Sequence, residues 1–179
     1  MKLVFFDIDF FQAIFLRGIV SLPPLLILAF ITRSLLQKYS TKNKCLLITR
    51  IIAEIGTTVT FLTALKHMPL ANVTAILQSL PLAITMAAAI FLRERVGWRR
   101  WSAIFIGFAG VLIIIRPGLT GFNSYSLLAL AAVILLTVRE ISTRMLDSKI
   151  PTVSVALSTT FGTTIFAAFM LFGSEWTYV

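Results

Sequence analysis

The chain has 179 residues, of which 58% are hydrophobic and only 13% charged, with a mean hydropathy of +0.95. That balance excludes a water-soluble globular domain and places most of the chain in lipid. The formal charge of +9 would suit nucleic acid, but the basic residues sit in short loops between apolar runs, so no nucleic-acid partner is expected and the bilayer is. Cys45 is the only cysteine and His67 the only histidine, so neither a disulfide within the chain nor a Cys/His metal cluster can form, and no cofactor is expected.

In chain order there are six apolar segments, all read as helices because the period-2 alternation of a membrane barrel strand is absent. The first covers Phe10–Ile31, interrupted by Gln12, Arg17 and Pro23-Pro24, and is followed by a polar loop over 32–44. The second covers 45–65 and carries Arg50 and Glu54, with Lys66-His67-Met68-Pro69 as a tight turn. The third, 70–92, contains no charged residue. At about 1.5 Å per residue it rises roughly 34 Å, enough for a hydrocarbon core of about 30 Å. A basic connector over 93–100 leads to the fourth, 102–115, closed by Arg116-Pro117-Gly118. After a turn over 121–124, the fifth runs over 125–146 with Arg139 and Glu140 inside it. A turn over 147–151 precedes the sixth, 152–172. The expectation is an all-α polytopic membrane protein with six transmembrane helices.

The loops orient it. Arg33, Lys38, Lys42, Lys44, Arg93, Arg95, Arg99, Arg100, Arg144 and Lys149 lie on one side, against Lys2, Lys66 and Arg116 on the other. The excess places loops 32–44, 93–100 and 147–151 in the cytoplasm. An outer N-terminus bearing Asp7 and Asp9 would then need a preceding helix to carry it across.

Polar residues inside these segments form the candidate site. Thr74, Gln78, Pro81 and Thr85 are spaced 4, 3 and 4, which stacks them on one stripe, either a cavity wall or an interhelical hydrogen-bonding face with a proline kink. Arg50, Glu54 and Thr57/Thr58 stack similarly. An ionisable group in the membrane marks function or a paired neighbour. Glu54 is therefore either half of an ion pair with Arg50 or a group that takes up and releases a proton. Glu140 precedes Arg144 by four residues, the favourable helical order. That leaves Arg139 without an obvious local partner, to bind an anionic group of a substrate, meet a glutamate from another helix or reach headgroups. Ala103, Gly107, Gly110 and Val111 make a small-residue surface suited to a seam within the chain or to a homodimer. No nucleophile–base pair accompanies the two buried acids, so an enzyme is not expected.

Several of these residues resemble a known family. Residues 71–77, Pro81-Leu82, Phe91-Leu92-Arg93-Glu94-Arg95, Trp101 and Gly107 with Gly110-Val111 are similar to the first EamA repeat of the drug/metabolite transporter superfamily. The resemblance implies a ten-helix inverted-repeat carrier of which this chain matches helices two to seven. Residues 1–118 would be the first repeat without its first helix, and 119–179 the start of the second. It also implies a multi-pass protein of the inner or plasma membrane, carrying a small polar metabolite such as an amino acid, a nucleoside or an adenosylmethionine-like compound. The central cavity would be lined by the second, third and fifth helices here. The residues expected to bind substrate are Glu54, Thr74, Gln78, Pro81 and Arg139, with Glu54 and Glu140 for proton coupling. The alternative is a structural or regulatory membrane subunit.

Overall fold

The computed structural model describes residues 10–32, 39–115 and 124–171, which form seven α-helices with no strand among them. They are α1 (Phe10–Ile31), α2 (Thr41–His67), α3 (Leu70–Leu77), α4 (Leu80–Phe91), α5 (Trp98–Ile115), α6 (Tyr125–Arg144) and α7 (Thr152–Leu171). Five spans are long and apolar enough to cross a membrane: 11–31, Thr41–His67, Leu70–Phe91, Tyr125–Arg144 and Thr152–Leu171. Leu16, Val20, Phe30, Ile106, Ile134 and Phe169 are exposed, the outward apolar surface that a lipid solvent permits. The chain is an all-α polytopic membrane protein.

Three elements differ from the sequence expectation, the first of them α5, which begins at Trp98, four residues before Ser102, so that Arg99 and Arg100 lie in its first turn. α2 begins within the polar loop and continues through Lys66 and His67, so the turn shrinks to Met68-Pro69. Cations in a last helical turn suit the carbonyl end of the helix. His67 Nδ1 also lies 2.9 Å from the Thr63 carbonyl, and its ring stacks on Tyr125 with centroids 4.1 Å apart. The uncharged third segment is one span but two helices, broken at Gln78-Ser79. Pro81 has no N–H to offer the Leu77 carbonyl, and the buried Ser79 hydroxyl turns back to the Ile76 carbonyl at 2.7 Å. The turn before α7 is set by Asp147, whose carboxylate accepts the Lys149 N–H at 3.0 Å. Arg33, Lys38, Arg116 and the turn at 121–123 lie outside the described residues, as do Lys2, Asp7, Asp9 and the expected repeat boundary at 118–119.

The chain divides into two compact units, residues 1–51 with 146–179, and residues 52–145. In the first, α1 lies along α7. Gly18 makes this approach possible, because a β-carbon there would run into the Thr164 side chain. Phe11 and Phe166 meet edge to face with centroids 6.2 Å apart, and exposed Cys45 lies on α2. In the second unit a core of Ala64, Met68, Val73, Ile76, Ala83, Val111, Ile115, Ala129 and Val133 joins α2 to α6. Gly107 of α5 sits where a β-carbon would collide with Leu82, which assigns part of the small-residue surface to an intramolecular seam. Gly110 faces open space.

Candidate functional site

The second unit holds three ionisable side chains in direct contact within its membrane-spanning helices. Arg139 of α6 donates from Nη1 to Glu54 Oε2 of α2 at 2.8 Å, and its Nη2 lies 3.4 Å from Glu140 Oε2. The arginine and Glu54 side chains are 28% and 20% exposed, so the pair is largely removed from solvent without being sealed. A charge-assisted bond of this length in a low-dielectric setting is strong. One guanidinium serves two carboxylates, so with every group ionised the cluster carries one excess negative charge.

Local sequence chemistry supports both ends of the bridge. Thr58, four residues after Glu54, donates its hydroxyl to the Glu54 carbonyl, and Thr143 does the same for Arg139, each at 2.8 Å. These bonds satisfy hydroxyls inside apolar helices without a tertiary partner. Thr57 differs. Its Oγ1 is buried and makes no hydrogen bond among the described residues, and the same holds for Arg139 Nε. Both atoms are hydrogen-bond donors, and a buried donor is costly to leave without an acceptor.

Arg139 meets a glutamate of another helix, one of the alternatives its sequence left open: Glu54 reaches it from 85 positions away. One expectation about pairing is overturned. Arg144 is not bonded to Glu140 one turn earlier. Its Nη1 lies 3.6 Å from Glu94 Oε1 in the α4–α5 connector, while Glu140 turns to the neighbouring Arg139. The i, i+4 rule supplies a few tenths of a kcal/mol, less than a second carboxylate gains beside a guanidinium that is already partly desolvated.

The second candidate group lies elsewhere. Thr74 and Gln78 are exposed at the end of α3, and Pro81 is exposed in the first turn of α4. The Thr74 hydroxyl is 2.9 Å from the Leu70 carbonyl and that of Thr85 is 2.7 Å from the Pro81 carbonyl. Among the described residues this stripe makes no polar contact with Glu54, Arg139 or Glu140. The structure therefore brings three candidates together and leaves Thr74, Gln78 and Pro81 as a separate polar strip. Sequence reading missed the pairing of Glu94 with Arg144, although its position between Arg93 and Arg95 was a charge signal. Buried Ser126, with its hydroxyl 3.9 Å from the Met68 sulfur, offered no signal at all.

Comparison with known proteins places these helices. The profile of the EamA-like transporter family matches residues 1–116. The riboflavin transporter of Vibrio cholerae serotype O1 is 43% identical over 58 residues, 32% of this chain and 20% of that protein. The riboflavin transporter of Brucella anthropi is 36% identical over 83 residues, 46% of this chain and 29% of the relative. The S-adenosylmethionine uptake transporter of Rickettsia bellii is 36% identical over 59 residues, 33% of this chain and 20% of the relative. The chain thus matches less than a third of the length of each of these relatives. No solved structure matches it. With nearly two thirds of its residues under that profile and its apolar helices arranged as membrane spans, the chain belongs to the EamA-like transporter family.

Proposed function

We propose that this chain is part of a multi-pass carrier that moves a small polar metabolite across the cell membrane, with Arg139 as the exchangeable centre of its site. The observation that carries this reading is the bridge from Arg139 to Glu54 and Glu140 inside two membrane spans. Ionisable groups at such depth are costly to keep and mark a ligand or ion path by default. An arriving carboxylate competes with Glu54 for the guanidinium, and a cationic group competes with Arg139 for the carboxylates. A proton on Glu54 weakens its hold on Arg139, which would couple substrate movement to proton movement, and Glu140 is the second group able to take that proton. Thr74, Gln78 and Pro81 would contact the uncharged part of the substrate. The relatives are named for riboflavin and for S-adenosylmethionine, metabolites that share a heteroaromatic ring system and a hydroxylated portion. The Gln78 amide, which both donates and accepts, suits the edge of such a ring. The basic segments at 93–100 and 147–151 would face the cytoplasm.

The test is uptake of labelled riboflavin and S-adenosylmethionine by intact cells that express the complete carrier containing this chain. Saturable uptake of either, abolished by Arg139→Gln, is expected there, whereas residues 1–179 alone should not transport. With Glu54→Gln, pH-driven uptake should disappear while exchange of substrate for substrate persists. Equal loss of folding yield and of both activities would assign the bridge to structure alone. Absence of uptake from cells that insert the complete carrier correctly would favour a regulatory or structural subunit.

A further inference from the structure

We propose that the connector between α4 and α5, together with the first turn of α5, is a binding site for the headgroup of an anionic phospholipid. Arg93 and Arg95 lie in the connector and Arg99 and Arg100 in that first turn, within eight residues, and all four are exposed. The one carboxylate of the segment, Glu94, is engaged by Arg144 at 3.6 Å. None of these four arginines forms an ion pair with a carboxylate among the described residues, while Glu94 is offset by Arg144. The four arginines therefore leave net positive charge at this end of the unit.

Four further features give the patch the form of a lipid site rather than a merely solvated loop. Trp98 is 76% exposed, and the Arg99 guanidinium lies 5.6 Å from the centre of its ring. An indole beside a guanidinium is an amphipathic pair of the kind that settles at headgroup level. The apolar run of α5 after Arg100 rises only about 22 Å at the helical spacing, against a hydrocarbon thickness of about 30 Å. That mismatch draws Arg99 and Arg100 toward the lipid phosphates instead of into bulk water. Directly below them, Phe105 and Ile106 are 68% and 73% exposed and present an apolar wall to an acyl chain. A β-carbon at Gly97 would meet nothing within 4 Å, so the connector is open where a phosphodiester would enter. Guanidinium groups bind phosphate oxygens in a two-pronged fork, which lysine does not reproduce.

The occupant is thus a phosphatidylglycerol-like lipid, held by Arg95, Arg99 and Arg100 at the phosphate and by the α5 surface along its tail. This proposal does not depend on transport. The 179-residue chain is reconstituted in phosphatidylcholine nanodiscs containing phosphatidylglycerol, and the retained lipids are counted by native mass spectrometry. Preferential retention of phosphatidylglycerol is expected, falling about fivefold for each arginine replaced by glutamine at 95, 99 and 100. Arg→Lys changes at the same positions should retain an intermediate amount. Equal retention of both lipids, or an unchanged preference after Arg95→Gln, Arg99→Gln and Arg100→Gln together, overturns the site. Full displacement of the lipid by millimolar inorganic phosphate would also overturn it, in favour of a free-anion site. Should the triple variant not fold, a salt titration of the unaltered chain decides, because a preference that does not weaken with salt excludes guanidinium–phosphate contacts.

Discussion

The α1–α7 and α2–α6 pairs are held together by opposite means. α1 lies close along α7, admitted by Gly18 against Thr164, and the hydroxyl of Thr164 is spent on its own helix at the Thr160 carbonyl. α2 reaches α6 through long side chains: His67 on Tyr125, Leu135 over Gly56, and Arg139 to Glu54. Small residues bring helix axes together and leave no room between them. Long charged residues hold axes apart and fill the gap with groups that could trade partners. A seam of the first kind is fixed by shape, and one of the second kind can be reset by a ligand or a proton.

That contrast can be broken at its strongest point first. Arg139→Gln leaves two carboxylates facing each other in a partly desolvated gap, and should cost about 3 kcal/mol, read as a lower denaturant midpoint in detergent. Adding Glu54→Gln should restore part of that loss, and strict additivity of the two changes would show that the groups do not interact. Next comes Gly18→Ala, in which the new methyl meets both the hydroxyl and the branched carbon of Thr164. Overpacking of this kind costs about 2 kcal/mol, and a neutral result would show that α1 and α7 are not tightly seated.

The α5 glycines sharpen the same point with smaller effects. At Gly107 the obstacle is the mobile tip of Leu82, which can swing aside, whereas Gly110 meets nothing within 4 Å. Gly110→Ala should therefore gain about 0.5–1 kcal/mol from helix preference, and Gly107→Ala should fall below it in thermal unfolding. Loss of stability from Gly110→Ala would point to a surface that covers this face. The smallest effect is expected from Glu94→Gln, whose bond to Arg144 is half exposed on both sides. Less than about 0.5 kcal/mol should be lost, and that loss should vanish at high salt.

Most of the helical layout was legible from hydropathy alone. α1 has the bounds its apolar run suggested, because in lipid the length of a helix follows the length of the apolar stretch. The end of α2 was not legible, since Lys66-His67 reads as a polar turn until Tyr125 supplies a ring to stack on. The break at Gln78-Ser79 was half visible. Pro81 announced a disturbance, but an uncharged run gives no sign that one span comprises two helices. Of the site, the residue types could be named and their partners could not. Glu54 and Arg139 are 85 positions apart, and no periodicity within one helix carries information over that distance. Where local spacing did suggest a pair, Glu140 with Arg144, tertiary contacts gave each a different neighbour.

Cys45 is the chain's one sulfhydryl and stands exposed on α2. A maleimide dye therefore attaches to each polypeptide once, with no competing thiol to remove. In single-molecule images of liposomes, the number of bleaching steps then equals the number of copies assembled together. The same label reports which leaflet its helix end faces, through quenching by an impermeant iodide or ascorbate. An ordinary exposed cysteine thus provides both a copy counter and a sidedness marker without any change to the sequence.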